Sequence, residues 1–486
     1  MNYRIKWLSR LCCASLMLAM VTSCAEGFDD EETFNVGVTN AQLESPKLDP
    51  TTFTQMVDGN GQEMVQVTWP VVYGAGGYVA NVSIVNDPEN PIPVVKNDTI
   101  DGCKFTFPIE ADTKYQVSVL TLGNEKLNNK TAASATLADY STMLPATTIP
   151  EGQEIGEWVA LNVPRESAEE IALELEAGKT YYLKSTADFN LSAVTLRGDK
   201  YNRPTVIVQE QGAFMTQAGL RIRNINFDCG QMEAKSFLMM SETPSESIST
   251  EALGFKALGA NQNGYVVMAP IVVESCNFRN ITKSFLWTHE QKWALWDFRI
   301  IDCICQLNVA DSHHFINLDK SGTGLIKTLT LMNSTFYNLV DTDAAYFIKY
   351  PHNSNGQPQK WFGEGETTTH NLTNCTFYKT FTGKNFGNEM SSKNATVNYK
   401  NCIFDDVFRV SKYSERTTVT SSDCVFWMET GNVFNNDLNL GEECNPEFVG
   451  PVNLEFNLDQ SLGGVNFTPR AALCVSNKIG DPRWLE

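Results

Sequence analysis

Between residues 220 and 430 one four-position pattern of polar and apolar side chains keeps returning. It reads Asn224-Ile-Asn-Phe227, Ser275-Cys-Asn-Phe278, Asp302-Cys-Ile-Cys305, Asn333-Ser-Thr-Phe336, Asn374-Cys-Thr-Phe377, Asn401-Cys-Ile-Phe404 and Asp423-Cys-Val-Phe426. The last positions stand 51, 27, 31, 41, 27 and 22 residues apart. Recurrence on that scale predicts a stacked, solenoid-like architecture. In a strand, side chains alternate faces, so the Cys and Phe positions point the same way and the residue between them points out toward water. The leading Asn or Asp tolerates the left-handed backbone of a tight bend. One such unit per coil gives a column of Asn and Asp at a bend, and columns of Cys and Phe inside. The pattern predicts a parallel β-helix with coils from about 178 to 440.

A second strand follows each unit: Phe285-Leu-Trp-Thr-His289, Phe315-Ile-Asn-Leu-Asp319, Phe347-Ile-Lys-Tyr-Pro351 and Phe408-Arg-Val-Ser-Lys412. With Leu286, Ile316 and Ile348 inward, Trp287, Asn317 and Lys349 form an outward column, with His289 and Asp319 beside it. Arg409 breaks the inward column, and a one-residue slip would reverse every face. Excursions at Ser241–Asn263 and Pro351–Thr369 leave this edge, where binding loops tend to gather. Aromatics are dense here, including Trp293, Trp296 and Tyr346. Flat rings stack on the C–H faces of sugars, and polar neighbours bond hydroxyls or pair with uronate carboxylates. The candidate binding residues are Trp287, His289, Asn317, Asp319, Lys349, Tyr350 and Trp361; the competing reading has the rings filling the core.

Upstream, residues 38–142 alternate as a small antiparallel sandwich: Val65-Gln-Val-Thr-Trp69, then Tyr78, Ala80, Val82 and Ile84, then Phe105 and Phe107, then Tyr115-Gln-Val-Ser-Val119. Residues 143–155 form a Pro/Thr linker. Glu166 to Gly178 reads as a short amphipathic helix capping the first coil of a domain over 156–486.

Charge and cysteines alter this picture little. The net charge of −20 argues against nucleic acid and anionic membrane as partners. Residues 1–23 have a basic start and an apolar core too short to span a bilayer, which predicts a cleaved secretory signal. Ten cysteines lie beyond Cys24, five of them at the inward position of the pattern, where free stacked thiols are expected. No zinc spacing, phosphate loop or nucleophile elbow occurs, and His313 and His314 would face opposite ways.

Several stretches resemble known families. Val21-Thr-Ser-Cys24 is similar to the bacterial lipobox, which implies lipidation of Cys24 and an outer-membrane anchor. The acidic tether over 24–37, with Asp29-Asp-Glu-Glu32, resembles the surface-export signal of Bacteroidetes lipoproteins. Trp69 and the Tyr115-x-Val-x-Val strand resemble a fibronectin type III module. Ala177-Gly-Lys-Thr-Tyr-Tyr-Leu183 with Thr195-Leu-Arg-Gly198 resembles pectate-lyase-like right-handed β-helices. Together these resemble Bacteroidetes surface lipoproteins associated with degradation of pectic and other plant glycans. The expected fold is all-β, a fibronectin-like sandwich plus a right-handed parallel β-helix.

The resemblance implies binding of an extended plant-type polysaccharide, pectin included, beside other glycan-uptake proteins. A lyase or hydrolase on the same groove is the second reading, and a structural or adhesive module the third. A lyase would need a base beside a uronate and groups to neutralise it, calcium among them. Lys349 with Asp319, Asp341 and Asp343 are the candidates. Asp405 and Asp406 are adjacent and would diverge on a strand, a poor match to a two-carboxylate hydrolase. The pattern supplies no metal site.

Overall fold

The structure is a computed structural model. It describes residues 37–58, 62–86, 88, 91–110, 112–319, 322–351, 354–388, 394–410, 417–429, 438–450 and 465–485. The expected signal over 1–23, Cys24 and the expected tether as far as Val36 lie outside the described residues. The chain divides into two compact units at Leu144 and Pro145.

The first unit holds two antiparallel sheets. One orders Phe53–Val57, Glu63–Thr68 and Lys104–Pro108; the other orders Ile92–Ile100, Tyr78–Ile84, Lys114–Thr121 and Thr136–Ser141. Val65, Val67, Ala80, Val82, Phe107, Val117 and Val119 are fully buried, as the two-residue alternation requires. Tyr115 is buried and its hydroxyl accepts a hydrogen bond from the Glu110 backbone N–H at 2.7 Å.

The second unit winds through three parallel sheets, of 11, 10 and 7 strands among the described residues. Successive strands enter sheets one, two and three in turn, as in Leu325–Met332, Thr335–Asn338 and Ile348–Lys349. That is the topology of a parallel β-helix. The first residue of every repeat is the bend between sheets one and two, with φ of 58° at Asn224, 52° at Ser275, 55° at Asp302, 50° at Asn333, 52° at Asn374, 51° at Asn401 and 54° at Asp423. The Phe column is stacked: centroids of Phe377 and Phe404 are 4.9 Å apart, and those of Phe404 and Phe426 5.2 Å.

The second position does more than fill space. The Cys276 thiol donates to the carbonyl two residues earlier, Glu274 O, at 3.2 Å. Cys303, Cys375, Cys402 and Cys424 repeat that bond at 3.2, 3.3, 3.3 and 3.4 Å. Where the repeat carries Ser334 instead, its hydroxyl makes the same bond to Met332 O at 2.7 Å. Each side chain thus clamps the left-handed bend preceding it. All ten described cysteines are free thiols.

Three expectations need correction. The third position of the repeat, expected to face water, is buried at Asn277, Ile304, Thr335, Thr376, Ile403 and Val425. The reason for the middle coils is a later segment laid over the second sheet. Asp481 accepts from Thr335 Oγ1 at 2.8 Å, its backbone N–H donates to Thr376 Oγ1 at 3.1 Å, and Trp484 Nε1 donates to Thr335 Oγ1 at 2.7 Å. Phe467 packs on Tyr337 with centroids 5.1 Å apart. Gly480, at φ 110°, passes so close that a Cβ would meet Ile403 Cδ1 at 2.8 Å.

The expected helix over Glu166 to Gly178 is instead the strand Ile171–Leu175, paired in parallel with Val194–Arg197. Leu173 and Leu175 point into the core, and Glu174 points out to an ion pair with Arg197 at 2.9 Å. A parallel partner makes the two-residue period win over the helical one. The helix that precedes the first coil is Ile155–Asn162, with Ile155 and Val159 buried. The Glu154 carboxylate accepts from the N–H groups of Glu157 and Lys184, each at 2.6 Å, tying the helix start to the first coil.

The third correction concerns Trp361, expected among the binding residues. Residues 241–264 and 354–367 pack on each other: Leu258 N–H donates to Lys360 O at 2.8 Å, and Phe255 meets Phe362 with centroids 5.0 Å apart. Trp361 is fully buried between them, its Nε1 donating to Thr323 O at 2.7 Å and its ring lying where a Cβ on Gly264 would stand.

Candidate functional site

The outer face of the third sheet carries the candidate site. Leu286, Ile316 and Ile348 are register partners and fully buried. Trp287, Asn317 and Lys349 are therefore partners on the opposite face, one per coil. Met239 extends this column above Trp287 and Asn388 extends it by register below Lys349. Adjacent coils stand about 4.8 Å apart, so the column is a ladder with one rung per strand.

Side chains beyond the strand ends join it. Asn317 Oδ1 accepts from the Asp319 N–H at 3.2 Å, and Lys349 Nζ lies 3.5 Å from Asp319 Oδ2. Lys349 Nζ also sits 5.2 Å from the centroid of Tyr346. The Tyr346 N–H donates to His314 Nδ1 at 3.1 Å. Burial pushes the His314 imidazole down to about 4, and the charges of Lys349 and His313 press the same way. His314 is thus a neutral acceptor at physiological pH.

At the other end, the rings of Trp287 and His289 meet edge to face with centroids 4.3 Å apart. His289 has φ of 56°, an uncommon backbone for a non-glycine residue. Its Nδ1 lies 3.0 Å from Glu242 Oε1, off the line of a hydrogen bond.

The structure therefore brings together Trp287, His289, Asn317, Asp319 and Lys349. Two candidates leave the site. Tyr350 is one residue past Lys349, so it points inward; it is 1 % exposed, and its hydroxyl meets the His370 ring. Trp361 is buried in the loop cluster described above. Trp293 is fully buried too, donating to Ser241 O at 3.0 Å. Tyr346, named among the aromatics of this edge, lies at the site, and Glu242 and His314 belong to it although the sequence did not single them out as binding residues. Glu242 opens an excursion with no repeat to align it, and His314 lies in a corner of variable length.

The catalytic candidates do not converge on one point. The acid at Lys349 is Asp319, whereas Asp341 faces Tyr378 and Asp406, and Asp343 packs beside Gly383. Asp405 lies on the outer side of the second sheet, in register with Tyr378 and Trp427. Burial first, then Asp406, pushes its carboxyl up to about 7. Asp406 turns away at φ of 51° and accepts from the Glu429 N–H at 2.6 Å. His352 lies outside the described residues. Among the described residues, no three His, Cys, Asp or Glu side chains gather as metal ligands.

No curated protein matches the chain. Among solved structures, the catalytic domain of a GH87 α-1,3-glucanase variant in complex with nigerose pairs with 80% of this chain and 73% of its own. The pairing has 10% identity and a TM-score of 0.22, too loose to carry an argument. Residues 3–178 match the family model DUF4992 and residues 179–339 the model DUF4957, both described as domains of unknown function. The first match runs past Leu144 into the first coil of the β-helix, so the sequence family and the compact unit end at different places.

Proposed function

We propose that this chain is a surface lipoprotein of the Bacteroidetes type that binds an extended polysaccharide along the outer face of its third sheet. The observation that carries the reading is the in-register ladder of Trp287, Asn317 and Lys349 on three successive coils. Its rise per rung is close to the length of one sugar unit in an extended chain, so successive units can meet successive side chains. The Trp287 ring supplies a stacking face, Asn317 an amide, and Asp319 and Lys349 an acceptor and a donor for hydroxyls. Left-handed His289 beside Trp287 fits a functional edge, where backbone strain tends to collect.

The lipobox at Cys24 would anchor the chain in the outer membrane, and the antiparallel unit over 38–142 would serve as a fibronectin type III-like spacer. Affinity electrophoresis through gels containing plant polysaccharides tests the binding reading directly. Retardation by at least one polymer is expected, and free migration through all of them would sink it.

A further inference from the structure

The charge arrangement on the ladder narrows the class of ligand. We infer that the face selects neutral glycans and rejects polyuronates. This rests on the binding reading above.

Lys349 is the cation that a uronate carboxylate would seek, and its side chain is only 16 % exposed. Its charge is already matched by Asp319, 3.5 Å away and itself 31 % exposed. A uronate approaching Lys349 would have to enter beside that carboxylate, and like charges side by side are costly at an interface. Beside His289 the Glu242 carboxylate, 3.0 Å from Nδ1, places a second negative charge on this edge. His314, held neutral by burial, adds no positive charge. The whole chain, at net −20, repels a polyanion before contact.

A neutral sugar meets a different surface. Each hydroxyl both donates and accepts, so it can give its proton to Asp319 and take one from Lys349 or Asn317 without separating the ion pair. The Trp287 ring needs only a C–H face. Asp319 is therefore the specificity-determining residue, and Lys349 a hydroxyl donor rather than a carboxylate clamp.

The test compares native migration through gels containing xyloglucan, arabinan, galactan or polygalacturonate at about 0.15 M salt, where the screening length is about 8 Å. The wild type is expected to be retarded by at least one neutral polymer and not by polygalacturonate. Asp319→Asn, nearly isosteric, frees Lys349 and should raise polygalacturonate affinity roughly tenfold while weakening the neutral polymer. Asp319→Glu should keep the wild-type preference. Retention of fold is read from the melting transition of each variant. Polygalacturonate retarding the wild type as strongly as neutral polymers overturns the selectivity and leaves the binding reading standing. An Asp319→Asn variant with unchanged preference also overturns it. Free migration in every gel removes both.

Discussion

Phe404 lies flat on Phe377, ring centroids 4.9 Å apart and planes 2° from parallel. Such near-perfect superposition occurs because successive coils are in register and the backbone sets the spacing. Phe377 touches Phe336, Phe347, Phe386 and Phe404, so its loss opens a cavity that no flexible neighbour can fill. Phe377→Ala should destabilise the β-helix by about 3–5 kcal/mol. Denaturant melts that left the midpoint unchanged would contradict that column as the core.

The bend clamp makes an unusual prediction for cysteine. Cys375→Ser should be tolerated within about 1 kcal/mol, because Ser334 already makes the equivalent bond in the preceding coil. Cys375→Val keeps the apolar volume but removes the donor to Thr373 O, and should cost more than the serine. The order of the two melting midpoints decides the matter; valine above serine would mean that packing alone sets this position.

Thiol labelling separates exposed from buried cysteines. Cys103 and Cys444 are half-buried, and the other eight described cysteines are buried. Burial raises the Cys276 thiol to about 12, far from its reactive thiolate form. A thiol reagent added to the folded protein should modify Cys103 and Cys444 first, and the eight only after denaturation. Mass mapping of the labelled sites provides the check.

Binding should depend on Trp287 without dependence of the fold. Trp287→Ala removes a half-buried ring from the outer face and should weaken glycan retardation roughly tenfold or more. Tyr350→Phe and Trp361→Phe are the contrasting pair. Both residues are buried, so they should alter stability and leave affinity unchanged.

Acid should act through His314. Its ordinary value is about 6.5 and its folded value about 4, so the folded state binds fewer protons between these limits. The stability it contributes is present above about pH 6.5 and is lost as the pH falls toward 4. The same protonation removes the acceptor for the Tyr346 N–H. His314→Asn should flatten the stability–pH curve over that range, measured by melting at steps between pH 4 and 7.

Much of the fold was legible because the repeat states it twice, once as spacing and once as chemistry. Asn374, Cys375 and Phe377 each have a role set by local geometry: bend, clamp and core. The outward column was legible as well, since alternation alone places Lys349 opposite Ile348. The same alternation, carried one residue further, turns Tyr350 inward. Treating aromatic density as a site signal overrode that rule, and Trp361 shows the same effect: a large ring in a loop can be the loop's own core. What local pattern cannot state is a contact spanning 146 residues, such as Thr335 with Asp481. The outer face of the second sheet is decided by that segment.

That long-range contact also bears on how the chain is made. The coils holding Thr335, Tyr337 and Thr376 leave the ribosome well before Asp481 and Trp484, at a rate of about 5–20 residues per second. For several seconds their outer faces stand uncovered, with apolar Ile304 and Ile403 in contact with water. The stack is then a half-finished product, sticky along one side and open to chaperones. Arrival of residues 465–485 covers that side: a chain stopped before Val465 would lack the side chains that pack on Ile304 and Ile403 and would carry a lasting adhesive stripe.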